Sequence, residues 1–244
     1  MQIIEFFNNQ ATRYSADYFA TYAMQQLWHN LNFMQIKPEI ILDAGCGNGR
    51  AIFHLQKLYP QSKILACDKA KNMLQKIPQT ENLKLISTDI SQFYYEHKID
   101  FILANLLWPW CNLRSSLISF QKATRENALL LFSYILPMSQ EKILANSWDM
   151  HNIADLMINY GFAETVIQSE RQTLVYDNLG AAQKEFFDSG LSLLFDVNQY
   201  LYQIGSKWHL DVEFIYGHSW RNDAQYFKSA DGNINIPFQA IKKK

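Results

Sequence analysis

I-L-D-A-G-C-G-N-G at residues 41–49, followed by K-I-L-A-C-D at 63–68, decides how this chain folds. An apolar run feeding glycines at 45, 47 and 49 reads as a buried strand turning into a helix. Glycine accepts positive φ readily and lets backbone approach a ligand closely. Asp68 closes the second apolar run 19 residues after Gly49, where a carboxylate can accept hydrogen bonds from a ribose diol. Together these features describe a pocket for a nucleotide cofactor. The glycines fall as G-x-G-x-G with Asp43 two residues before the first, unlike the G-x-G-x-x-G of the common dinucleotide loop.

Outward from the loop, strand and helix patterns alternate. Ile40, Ile41 and Leu42 form the strand entering it, and 50–59 the helix leaving it. Further strands are expected at 63–67, 83–86, 99–103 and 128–134, with helices at 71–76 and 113–122 and a helical pattern over 139–160 that Gly161 stops. Upstream, Tyr18, Tyr22, Met24, Leu27, Leu31 and Met34 recur at helical intervals within 5–34. A sixth strand lies within 162–175, in A-E-T-V-I-Q; an aromatic-rich helical insertion spans 178–203; alternation over 209–216 makes the closing strand. Alternation of this kind calls for an α/β fold: a seven-stranded, mostly parallel sheet with helices on both faces. One domain is expected over 1–244, with a helical lid over 1–36, a cofactor-binding core over 37–135 and a substrate-side half over 136–244.

Charged residues are 18% of the chain and the formal net charge is −1, which argues against a generally basic nucleic-acid surface. No run approaches a membrane span and the N-terminus lacks a signal-peptide pattern, so a cytoplasmic protein, read as a monomer, is expected. Cys46, Cys67 and Cys111 have no C-x-x-C spacing and suit reduced thiols. His151, His209 and His218 show no metal-ligand spacing, and no metal site is expected.

An acidic residue followed by the shorter glycine run resembles motif I of the class I S-adenosylmethionine-dependent methyltransferases. The resemblance implies a Rossmann-like fold and S-adenosylmethionine bound by Asp43, Gly45, Cys46, Gly47, Gly49, Asp68 and Lys69. Asp89 would accept from the exocyclic adenine amine while Ile90 packs on the ring. Met73 would pack beside the ribose, and Asn105, after the fourth strand, would meet the amino-acid part of the cofactor.

Four segments in order sharpen it: F-N-N-Q-A-T-R-Y at 7–14, A-N-L-L-W-P-W-C-N-L at 104–113, L-L-L-F-S at 129–133 and V-E-F-I-Y-G-H-S-W at 212–220. They resemble the malonyl-[acyl-carrier protein] O-methyltransferases of biotin synthesis. Departures from that family are Pro109 where a Gln is usual, R-E-N at 125–127 for a basic-Pro-Gly turn, and W-H-L-D-V at 208–212 for L-P-x-T-Y. The resemblance implies methylation of the free carboxylate of a malonyl thioester on acyl-carrier protein. Two other readings stand beside it: a small-molecule methyltransferase acting on a free acid or phenol, and a non-catalytic cofactor-binding module.

A carboxylate with a pKa near 4 is already ionised at neutral pH, so the reaction asks for orientation rather than a general base. Tyr14 and then Tyr18 are the candidates to close over the reacting atoms, with Asn105 and Trp108 bordering the methyl group. Trp110 and Cys111 read as core. One arginine fork would suit the substrate carboxylate, and Arg13, Arg125, Arg171 and Arg221 are the candidates.

Overall fold

The computed structural model describes residues 2–12, 18–96, 98–138, 150–222, 227–228 and 234–235. The strand entering the glycine loop, β1 (Ile40–Ala44), is the centre of a parallel sheet. β2 (Lys63–Asp68) and β3 (Leu83–Ser87) lie to one side, β4 (Ile99–Ala104) and β5 (Thr124–Met138) to the other. Beyond β5 the direction reverses. β8 (Lys207–Arg221) inserts antiparallel between β5 and β6 (Phe162–Tyr176), giving the path β3-β2-β1-β4-β5-β8-β6. β7 (Leu201–Ile204) pairs antiparallel with the start of β8 and adds an eighth strand off this path.

Alternate side chains of the central strands sort to opposite faces, as a pleated backbone requires. Ile41, Phe101, Leu129 and Leu131 face a core completed by α2 (Tyr18–Leu31), α3 (Ile52–Leu58) and α7 (Leu179–Asp188). Leu42, Ile102, Leu130 and Phe132 face α5 (Leu113–Ala123) and α6 (Met150–Asn159). The expected α/β fold with both sheet faces covered is thus present.

The differences are local. The 5–34 pattern resolves into two helices, α1 (Gln2–Gln10) and α2. The insertion is helical only through Asp188: Gly190 breaks it at φ 84, short turns follow, and Gly205 at φ 61 folds β7 back onto β8. β6 and β8 are longer than the alternation suggested because they pair with each other as far as Tyr176 and Trp208. β5 begins directly after α5, with Asn127 at φ 63 in the R-E-N stretch. Asn tolerates the left-handed region better than most side chains, so it serves where the resembled family carries glycine.

Candidate functional site

The carboxyl ends of β1, β2, β3 and β4 open onto one cleft, as in other open α/β sheets. Its floor is Gly45, Gly47, Asp68, Asp89, Ile90 and Asn105, and it encloses about 740 Å3 with its mouth included. The roof is α1, through Ile3, Ile4 and Phe7. α1 is held at both ends of the cleft. The Asn72 backbone N–H donates to Asn8 Oδ1 at 2.9 Å, and Asn72 Nδ2 donates to the Asn8 carbonyl at 3.2 Å. Opposite, Phe6 meets Phe187 edge-on at 5.3 Å and Phe7 meets Trp110 at 5.0 Å. Gly190 makes this closure possible: a Cβ there would stand 2.9 Å from Phe7 Cζ and 3.1 Å from Trp110 Cη2.

Asp68 organises the floor. Its carboxylate accepts from the Gly47 N–H at 2.9 Å and the Ala70 N–H at 2.8 Å, which fixes the glycine loop against the end of β2. Burial pushes its carboxyl above the ordinary range, against the opposing pull of those N–H donors. Gly45 sits at φ 71, and a Cβ there would lie 2.7 Å from Leu107 Cδ1. Gly49 lies behind the loop at φ 82, hard against Ile77, and does not line the cleft.

On the far side of the loop, Asp43, Cys46, Arg50 and Asn105 border a continuation of the same space. Asp43 is 2% exposed, and its Oδ2 has no hydrogen-bond partner among the described residues. Burial, then the neighbouring Asp68, raises its carboxyl to about 7. A buried carboxylate oxygen without a donor is a place for a cation.

At the end of β3, Asp89 is engaged. Lys69 pairs with its Oδ2, while its Oδ1 accepts from the Ser91 N–H at 3.0 Å and from Ser91 Oγ at 2.8 Å. Burial pushes this carboxyl up, but Lys69 and Ser91 outweigh it and hold it below the usual range. Ile90 and Met73 are buried in the cleft wall, Met73 beside Ala70 and Phe7. Asn105 is a tether as well as a lining residue. Its Nδ2 donates to the Ala20 carbonyl at 3.1 Å and its Oδ1 accepts from Ser133 Oγ at 2.7 Å, tying α2 and β5 to the end of β4.

Several expected positions lie elsewhere. Trp108 is 6% exposed and packs on Phe132 at 4.7 Å, inside the core, whereas Trp110 and Cys111 line the cleft. The short W-P-W turn exchanges the two tryptophans: Trp108 points into the α5 face and Trp110 toward α1. The hydroxyl of Tyr18 donates to Gln172 Oε1 at 3.0 Å, away from the cleft. Arg125 pairs with Asp100, which caps the start of β1; Arg171 pairs with Glu213; Arg221 donates to the carbonyls of Gly161 and Asn222. Arg13 and Tyr14 lie outside the described residues. Sequence reasoning missed Ile3, Ile4 and Phe7 as the roof; Phe7 opens the 7–14 string but carries no polar signal. Among the described residues no group of three or more His, Cys, Asp or Glu is arranged to hold a metal ion, and no helix is long and apolar enough to cross a membrane.

The family described as methyltransferase domain matches residues 37–191. The chain belongs to that family. It is a class I methyltransferase whose methyl donor is S-adenosylmethionine, and the cleft fits the donor through the glycine loop, the ordered Asp68 and the orphaned Asp43 oxygen. A malonyl-[acyl-carrier protein] O-methyltransferase of Methylovorus sp. (strain MP688) is 24% identical over 82% of this chain and 81% of its own length. One named malonyl-[acyl-carrier protein] O-methyltransferase 1, of Coxiella burnetii (strain RSA 493 / Nine Mile phase I), is 21% identical over 90% of this chain and 87% of its own. Among solved structures, the YcgJ protein of Bacillus subtilis superposes with TM-score 0.62 at 10% identity, over 82% of this chain and 99% of that one. Phosphoethanolamine N-methyltransferase 2 of Haemonchus contortus, solved with S-adenosylhomocysteine, superposes with TM-score 0.61 at 11% identity, over 91% and 61%. At such identities these two structures speak for the fold.

Proposed function

We propose that this methyltransferase esterifies the free carboxylate of a malonyl thioester carried on acyl-carrier protein, an early step toward the pimeloyl chain of biotin. The observation that carries the reading is the likeness to curated malonyl-[acyl-carrier protein] O-methyltransferases over about four-fifths of both chains. The chemistry of the acceptor side agrees with it. Of the titratable side chains near Trp110, Cys111 is pushed up to about 12 by burial, so it is no base at neutral pH. An ionised carboxylate needs none.

In this reading residues 1–36 roof the site, 37–135 hold the donor and 136–244 complete the acceptor side, in one cytoplasmic, monomeric unit. Asp43 receives the donor's ammonium, Asp68 its ribose hydroxyls, and Asp89 with Ile90 its adenine. S-adenosylmethionine supplies the methyl: a bond from carbon to the acceptor oxygen forms as the sulfur–carbon bond breaks, the electron pair stays on sulfur, and no proton moves. The protein's contribution is orientation and exclusion of water, with several kcal/mol available from positioning alone. Tyr14, four residues past the end of α1, is proposed to close over the reacting atoms.

The test is a methyl-transfer assay with malonyl-carrier protein, malonyl-coenzyme A and free malonate side by side. Transfer to the carrier-bound malonyl group is expected to exceed transfer to free malonate, and no transfer to any malonyl thioester refutes the reading. Tyr14→Phe should lower turnover while leaving donor affinity nearly unchanged.

A further inference from the structure

Leu106 follows Asn105 in the turn that leaves β4, and its backbone stands at φ 49. A bulky side chain in the left-handed region is an outlier that its surroundings must hold in place, and such outliers collect at functional sites. The polar partner that holds this one is Ser133. It closes the L-L-L-F-S string, one residue past Phe132, which stands in register with Ala104 of β4. Ser133 is 1% exposed, and its Oγ accepts from the Leu106 N–H at 2.9 Å.

A serine hydroxyl carries one hydrogen, and a buried one needs an acceptor. Here that acceptor is Asn105 Oδ1, at 2.7 Å. The amide nitrogen therefore faces the other way, where one of its hydrogens meets the Ala20 carbonyl at 3.1 Å. A reversed amide would set its oxygen against that carbonyl and leave the serine hydrogen without an acceptor. The orientation of Asn105 is thus fixed from both ends. Its second Nδ2 hydrogen has no partner among the described residues, and Asn105 borders both the donor cleft and its continuation beside Asp43. Arg50, which donates to Thr21 Oγ1, borders that continuation as well. An N–H and a guanidinium opening on one space suit a carboxylate, as Asp43 suits an ammonium.

We propose that Ser133, which lines neither part of the cleft, is a positioning residue for the donor: it holds the Leu106 turn and aims the remaining Asn105 N–H at the carboxylate of the donor's amino-acid part. The proposal rests on the placement of the donor's ammonium at Asp43 given above, and it is independent of which acceptor is methylated. Without the hydroxyl, the buried Leu106 N–H loses its acceptor and the Asn105 amide loses its direction.

The test compares two ligands by calorimetry on the full-length protein. One is S-adenosylhomocysteine; the other is its decarboxylated analogue, which keeps the ammonium and lacks only the carboxylate. Ser133→Ala should weaken S-adenosylhomocysteine at least about fivefold while changing the analogue less than about twofold. A merely structural loss would loosen the cleft for both. Equal weakening of the two, or unchanged affinity for S-adenosylhomocysteine in a folded variant, overturns the proposal. Ser133→Cys, similar in shape and a weak hydrogen-bonding partner, should show the same one-sided loss, and it decides the matter if the alanine variant does not fold. Asp43→Asn checks the placement beneath the proposal. Both ligands carry the ammonium, so both should weaken; if neither does, the amino-acid part lies elsewhere and the proposal falls with that placement. If both weaken while Ser133→Ala spares S-adenosylhomocysteine, the placement stands and the role of Ser133 alone is refuted.

Discussion

The donor cleft takes its polar atoms from the ends of consecutive strands, whereas the core behind Trp110 is assembled from apolar side chains of α2, β5 and the insertion. In the cleft, three carboxylates are held in different electrostatic states around the glycine loop: Asp89 below its ordinary range, Asp68 above it, and Asp43 raised to about 7. In the core behind Trp110 nothing described titrates. A cofactor rich in hydrogen-bonding groups asks for directional partners, while packed apolar core asks only for shape and dryness. Substitutions should therefore separate the two regions cleanly.

The largest separation is expected from Gly45→Val. A β-branched residue at φ 71, with its Cβ 2.7 Å from Leu107 Cδ1, is strained by about 2–3 kcal/mol, and a loop that moves to relieve it should bind the donor at least about tenfold more weakly. S-adenosylhomocysteine calorimetry reads that loss, and an affinity within threefold of the parent would show that the loop does not carry the donor. Asp68→Ala comes next. Losing hydrogen bonds to the ribose and the anchor of the Gly47 and Ala70 N–H groups should cost about 1–3 kcal/mol of donor binding. Unchanged affinity in a folded variant would break the assignment.

Asp43 gives a smaller, pH-dependent effect. Because burial and then Asp68 raise its carboxyl from 3.8 to about 7, the empty folded protein holds a proton there that the unfolded chain has lost. Its contribution to stability is full below about pH 4, is lost as pH rises toward 7, and is constant above. Binding of the donor's ammonium favours the ionised form. Affinity for S-adenosylhomocysteine should therefore rise from pH 5 to 7 by up to about tenfold per unit and then level off. Asp43→Asn should flatten that slope, and a slope that survives the substitution would assign the proton elsewhere. The smallest effect belongs to the acceptor side. Turnover in the chemical step should be nearly flat from pH 6 to 8, since a carboxylate nucleophile is ionised throughout. A tenfold rise per unit would point to a hydroxyl acceptor with a general base.

The same contrast explains what could be read from the chain before its fold was known. Asp43, Gly45, Gly47 and Asp68 announce themselves because a contiguous loop and one strand end hold them at fixed spacing. The sheet order is similarly local in origin, each strand being an apolar run between helices. Phe19, Ile135 and Leu191 carry no such mark: they lie far apart in the chain and share the composition of ordinary core, so only folding distinguishes them. The structure places Trp108 in the core and Trp110 at the cleft, an exchange the sequence conceals for a related reason: two tryptophans flanking a proline look alike until the turn is built. The β7–β8 hairpin was hidden by an aromatic run that fits helix and strand equally well.

One consequence of the roof concerns concentration. α1 is a nine-residue helix, too short to persist alone in water, and it borrows its order from Asn72, Trp110 and Phe187. Three of its side chains also line the donor cleft. The occupancy of that cleft therefore enters the helix's own folding equilibrium by mass action, adding roughly 2.7 kcal/mol at a hundred times the dissociation constant if only the ordered form binds. Under that condition, the supply of methyl donor would be transcribed into the fraction of molecules whose first helix exists.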